Sequence, residues 1–116
     1  MHELAIAEAL VAIVTEHAGG RRVARVDVQV GHLRQVVPDA LAFAFEIASV
    51  GTVAEGADLV LEEIPAQGTC RSCGARGRLT AFPFACAACG SWHYDITDGE
   101  QLCVTSLEVY EEAGAR

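Results

Sequence analysis

Lysine is absent from this chain of 116 residues, so its eight basic residues are all arginine, set against sixteen Asp and Glu for a formal net charge of −8. That balance excludes several functions. A phosphate-binding loop of the Gly-rich type needs a lysine, so any nucleotide hydrolysis belongs to another protein. Binding to nucleic-acid backbones needs a basic face, and the one cluster of arginines is Arg71, Arg76 and Arg78. These three lie among cysteines, where their charge offsets thiolates. Long apolar runs are also missing. None approaches the ~20 residues of a membrane-spanning helix, and the apolar start from Leu4 to Val14 lacks a basic leader, carries Glu8 and has no small-residue cleavage site. A soluble, cytoplasmic protein is expected, in a compartment where thiols stay reduced. No hydrolase or transferase constellation is present, so no catalytic residue is assigned and the chain is not read as an enzyme.

Against these absences stands a concentration of cysteine. Cys70-Arg71-Ser72-Cys73-Gly74 and Cys86-Ala87-Ala88-Cys89-Gly90 are two Cys-x-x-Cys-Gly units, with twelve residues between Cys73 and Cys86. Each unit supplies two sulfurs from one tight turn, and the following glycine permits the positive φ that lets amide N–H groups point at sulfur. Four thiolates suit a closed tetrahedral Zn²⁺ site, while iron in a rubredoxin-like site takes the same ligands. Two disulfides or four unrelated thiols are the competing readings. With all four positions filled by protein, a metal here is structural. The large apolar residues of this region are Leu79, Phe82, Phe84 and Trp92, too few for an independent core, so the metal must supply the cohesion.

The remaining chain alternates helical and strand patterns. Ile6, Leu10, Ile13 and Val14 recur at helical spacing over Leu4 to Ala18, with Gly19-Gly20 as the stop. From Arg21 to Gly31 the period becomes two, Val26, Val28 and Val30 alternating with Arg25, Asp27 and Gln29. A second helix starts at Pro38 and ends near Gly51, apolar along Leu41, Phe45 and Ala48 and again along Phe43, Ile47 and Val50. A helix of that composition lies against a sheet and against a further neighbour. Asp58 to Ile64 and Gln101 to Tyr110 read as strands, the last with a bulge near Thr105-Ser106, where its alternation slips. The expected fold is α+β: two helices on a small mixed three-stranded sheet with an inserted zinc ribbon. Residues 1–64 and 97–116 form one domain and residues 65–96 the other.

Met1-His2-Glu3 offers a second metal-binding pattern. The terminal amine, the His2 amide and imidazole, and a donor from Glu3 can chelate one ion in near-planar geometry, which favours Ni²⁺ or Cu²⁺. The adjoining helix dipole disfavours a cation, so deprotonated amides and Glu3 must offset it. On residue types alone the simpler reading is preferred, namely that these residues begin a helix with Glu3 in its first turn.

The order of motifs alters that weighting. Met-His-Glu-Leu, then Val-Gly-x-Leu-x-x-Val-Val-Pro-x-Ala-Leu-x-Phe-Ala-Phe-Glu (Val30 to Glu46), then Gly-Thr-x-Ala-Glu-Gly-Ala (Gly51 to Ala57), then the double knuckle ending Cys-Gly-Ser, resembles the HypA/HybF family of nickel metallochaperones for hydrogenase maturation. The resemblance implies that His2, with Met1 and Glu3, carries Ni²⁺ as transferable cargo for the large subunit of a [NiFe]-hydrogenase. It implies structural Zn²⁺ on Cys70, Cys73, Cys86 and Cys89, a partner GTPase, and the capacity to form homodimers. A zinc-ribbon module of a nucleic-acid or transcription complex is the alternative, and the acidic charge counts against it. Cys103 is expected to be a small buried residue of the last strand. His93 is close enough to Cys89 to replace a thiolate if the site rearranges, although an exposed loop histidine is the commoner case. His17 and His32 are expected to face solvent.

Overall fold

A computed structural model describes residues 2–79 and 85–110; the readings placed on Met1, Phe82 and Phe84 lie outside the described residues. The chain runs through α1 (Glu3–Ala18), β1 (Val23–Gly31), a 3₁₀ turn (His32–Arg34), α2 (Pro38–Ala48), β2 (Asp58–Ile64), β3 (Gln67–Cys70), β4 (Arg76–Arg78), β5 (Tyr94–Asp98) and β6 (Leu102–Val109). It divides into two compact units. One comprises Met1–Gln29, Val36–Glu62 and Cys103–Arg116, the other Val30–Gln35 and Glu63–Leu102.

In the first unit, α1 turns Ala7, Leu10, Val11, Val14 and Ala18 inward and stops at Gly19, whose φ of 63° is left-handed. The buried arc is rotated from the expected one. Ile13 is 40% exposed and Ile6 half-buried, because the smaller Ala7, Val11 and Ala18 make the close approach. On β1, Val26, Val28 and Val30 are buried while Arg25 is exposed, as period two requires. Helix α2 carries Pro38 in its first turn and buries Leu41, Ala44 and Phe45. Its second apolar face is open, with Phe43 and Ile47 at 64 and 52% exposure, and Val50, which falls in the turn after the helix rather than on it, is 64% exposed. The neighbour expected on that face is not found among the described residues.

The sheet order is β2-β1-β6. Val23 donates to the Val53 carbonyl and Gln29 Nε2 to Glu62 at 3.3 Å, so partners rise together and β2 is parallel to β1. The α2 crossover makes that possible. Gly31 donates to Gln101 and Tyr110 to Arg22, so partners run in opposite order and β6 is antiparallel. The sheet is therefore mixed. On β6 the inward phase changes from Leu102 and Val104 to Leu107 and Val109 at the suspected slip. There Thr105 Oγ1 donates to the Asp27 carbonyl at 3.2 Å and Ser106 Oγ to the Asp27 carboxylate at 2.8 Å.

The second unit holds another three-stranded sheet, β4-β3-β5. Strand β3 is antiparallel to both neighbours, with Gly68 opposite Gly77 and Ile96, and the β5 register shifts between Gln67 and Gly68. Packing here is tight at glycine. A Cβ on Gly31 would collide with the Gly99 carbonyl, and one on Gly68 would lie 2.9 Å from the Asp95 carbonyl oxygen.

Candidate metal centre

Each knuckle is a turn closed by backbone bonds, and the two are built alike. In the first, Cys70 N–H donates to the Ala75 carbonyl and Gly74 N–H to the Cys70 carbonyl, both at 2.8 Å. In the second, Cys86 donates to Ser91 at 2.8 Å and Gly90 to Cys86 at 2.7 Å. Gly74 and Gly90 take φ of 81° and 77°, which L side chains resist. The knuckles are clasped to each other by Ser72 Oγ and Ser91 Oγ at 2.9 Å and by Arg71 N–H to the His93 carbonyl at 2.7 Å.

This construction brings four sulfurs together. The Sγ atoms of Cys70, Cys73, Cys86 and Cys89 all lie within 4.8 Å of one another. Two of the contacts cross between knuckles, Cys70 to Cys89 at 3.7 Å and Cys73 to Cys86 at 3.6 Å. A disulfide requires about 2.05 Å, and all four cysteines are free. A tetrahedron with metal–sulfur bonds of about 2.3 Å has edges of about 3.8 Å. The donor set therefore fits a four-coordinate thiophilic ion.

The electrostatics divide the cysteines by position. The Cys73 amide donates to Cys70 and lowers its pKa, and the Cys89 amide does the same for Cys86, held down to about 6. The second cysteine of each knuckle moves the other way. Cys73 accepts the Ala75 amide, which favours its thiolate, yet the adjacent Cys86 and burial raise its pKa. Cys89 is likewise favoured by the Ser91 amide, and is nonetheless pushed up to about 12 by burial and the neighbouring sulfurs. Four sulfurs this close cannot all ionise without a cation; a divalent ion displaces the remaining protons. Tyr94 keeps its proton, its pKa raised to about 12 first by its hydrogen bond to Cys86.

Among the described residues these four cysteines are the group of metal-ligating side chains that converges. The His93 side chain is exposed and outside it. Cys103 is exposed as well, its thiol 3.9 Å from Gln29 Oε1, which corrects the expected burial. Leu102 and Val104 take the inward positions of β6, so the residue between them must point out. His17 and His32 are exposed, bonded to the Ile13 carbonyl and the Glu63 carboxylate. Of the three arginines, Arg71 pairs with Asp95 at 3.3 Å, so it is neutralised locally rather than presented to a phosphate backbone.

At the other candidate site, His2 is exposed and is the N-cap residue of α1, its carbonyl accepting Ile6 N–H at 2.9 Å. Glu3 stands in the first turn, where a carboxylate suits the helix dipole, and its Oε2 accepts Val37 N–H at 3.2 Å. Ser72, Ser91 and Tyr94 were not singled out by spacing. The one local signal for them is a hydroxyl inside or directly after a Cys-x-x-Cys turn, which for Tyr94 is lacking.

Comparison with known proteins bears on the chain as a whole. A family model described as "Hydrogenase/urease nickel incorporation, metallochaperone, hypA" matches residues 1–109. The hydrogenase maturation factor HypA of Trichormus variabilis is 48% identical over 111 residues, covering 96% of this chain and 97% of that protein. The one from Geotalea uraniireducens is 45% identical over 109 residues, covering 94% and 99%. A structure titled as the Ni metallochaperone HypA from Helicobacter pylori is similar with a TM-score of 0.68 and 26% identity, covering 94% of this chain and 97% of that one.

Proposed function

Since the chain belongs to the HypA family of nickel-incorporation metallochaperones, we propose that it binds Ni²⁺ through Met1, His2 and Glu3 and delivers it to the large subunit of a [NiFe]-hydrogenase. A partner GTPase assists, and Cys70, Cys73, Cys86 and Cys89 hold a resident Zn²⁺. Nickel carriage falls to residues 1–64 with 97–116, the zinc ribbon to residues 65–96, and the site of action is the cytoplasm.

The convergence of four sulfurs within 4.8 Å carries the division of labour. A shell closed by four protein ligands has no open position for cargo to enter or leave. Cargo needs a site with fewer fixed donors, and the exposed His2 beside Glu3 is one, with a carboxylate that offsets the unfavourable helix dipole. Nitrogen-rich, near-planar ligation separates nickel from zinc by geometry, and thiolate softness separates zinc from nickel at the ribbon. The GTPase is assigned to a partner because this chain has no lysine for a phosphate loop.

The test combines metal analysis of the purified protein with calorimetric Ni²⁺ titration of wild type, His2→Ala and a variant extended before Met1. One zinc per chain in all three, with nickel binding lost in the two variants, is expected. Equal nickel affinity in all three would remove the N-terminal assignment.

A further inference from the structure

Helix α2 has two apolar faces, one of them uncovered. Leu41, Ala44 and Phe45 turn inward. Exposed Ala40, Phe43 and Ile47 follow at steps of three and four, the latter two exposed by 64 and 52%, and Val50, exposed by 64%, comes in the turn after the helix ends. That spacing puts Ala40, Phe43 and Ile47 in one line along the helix. Scattered exposed apolar residues need no explanation, but a contiguous line of large ones marks a contact surface. Steps of three and four are the anchor pattern of a helix received by a groove.

Charge decides between occupants. Asp39 and Glu46, both exposed, follow the line along one flank, and α2 contains no basic residue. Two copies meeting through this face would set carboxylates against carboxylates, in a chain of net charge −8 without lysine. A partner whose apolar groove is bordered by lysine or arginine has the complementary charge. The helix also begins beside Val37, whose amide is held by Glu3, so a partner lying along α2 reaches the nickel-bearing end of the same unit.

We propose that the outer face of α2, built on Phe43 and Ile47 and continued by Val50 in the turn beyond it, is the docking surface for a protein with a lysine- or arginine-rimmed apolar groove, and that this protein is the GTPase of nickel delivery. The proposal rests on the delivery reading above. Because the three residues are exposed, changing them leaves the core intact.

The experiment titrates the purified maturation GTPase into full-length wild type, Phe43→Ser/Ile47→Ser and Asp39→Lys/Glu46→Lys, at low and high salt. Nickel affinity, zinc content and circular dichroism are measured on each protein. The double serine variant is expected to lose at least about thirtyfold in affinity with nickel and zinc binding unchanged. The double lysine variant is expected to lose about tenfold at low salt and to show a flatter salt dependence. Wild-type affinity in the serine variant overturns the docking surface while the delivery reading stands. No binding of the GTPase by wild type overturns the partner reading and the docking surface with it. Sedimentation of the free protein decides the occupant: a monomer supports the proposal, whereas a wild-type dimer dissolved by the serine substitutions assigns the face to a second copy and overturns it.

Discussion

The two sheets of this protein have three strands each and are held by different forces. The first, β2-β1-β6, has the inner faces of two helices to cover it, and fully buried Val14, Val26, Val28, Leu41 and Phe45 belong to that unit. The second, β4-β3-β5, lies in a unit whose buried apolar side chains, among the described residues, are Val30, Ala66, Cys70, Leu79 and Cys86. Each fully buried large side chain contributes about 1.5–3 kcal/mol, and the first unit has more of them than the second. One valine, one leucine, one alanine and two thiols, the buried apolar side chains described in the second, contribute less. The four converging thiols give the second unit a source of cohesion that the first lacks, so the same strand count joins a fold built on apolar burial to one in which metal coordination takes a large share.

The largest effect that would sharpen or break this contrast is metal removal. Chelation is expected to cost the second unit about 10–16 kcal/mol of apparent binding energy. Amide protection of β3 and β5 in hydrogen exchange should be lost while that of α1 persists. Loss of both together would show that the first unit does not stand by itself. Acid acts next, through the same sulfurs. Cys86, held down to about 6, is already largely ionised at neutral pH without metal, whereas Cys89, pushed up to about 12, is protonated. Metal binding therefore releases protons, and affinity falls as pH falls. With at least the Cys89 proton displaced, the apparent affinity for Zn²⁺ should drop at least about tenfold per pH unit near neutrality and more steeply below about 6. Competition titrations with a zinc indicator at several pH values check the sign and the slope.

A smaller effect is expected from the hydrophobic side. Phe45→Ala leaves a cavity under α2 and should destabilise the first unit by about 3–5 kcal/mol with zinc stoichiometry unchanged, as read by denaturant unfolding and metal analysis. Smallest is Ser72→Ala, which removes the 2.9 Å bond to Ser91 on the exposed side of the knuckles. A cost of about 1 kcal/mol or less is expected in zinc affinity.

The same division explains which parts were readable from residues. Both helices and the strands β1, β2 and β6 carry periodic apolar residues, and each was found within about two residues of its observed ends, apart from the turn that follows α2. Strands β3 and β4, Gln67-Gly-Thr-Cys70 and Arg76-Gly-Arg78, are too short and too polar to show any period. Their register follows from the knuckles, which spacing revealed without revealing the strands. Ile13 misled because helical spacing fixes a stripe but not its centre, which depends on which residues are small enough to allow close packing. Cys103 misled because the general tendency of free cysteine to be buried was weighed above the alternation of its own strand.

The knuckles also give the four-sulfur cluster a front and a back. Cys70 and Cys86 are shielded at 1% and 4% exposure, whereas Cys73 and Cys89 face outward. A proton or a competing chelator therefore meets the outward pair first, the same pair whose pKa values are raised. Ligand exchange acquires an order in time: two sulfurs released from the front while two at the back still grip. An ion half-detached in this way recaptures its ligands more often than it escapes, so its residence on the cluster should be long.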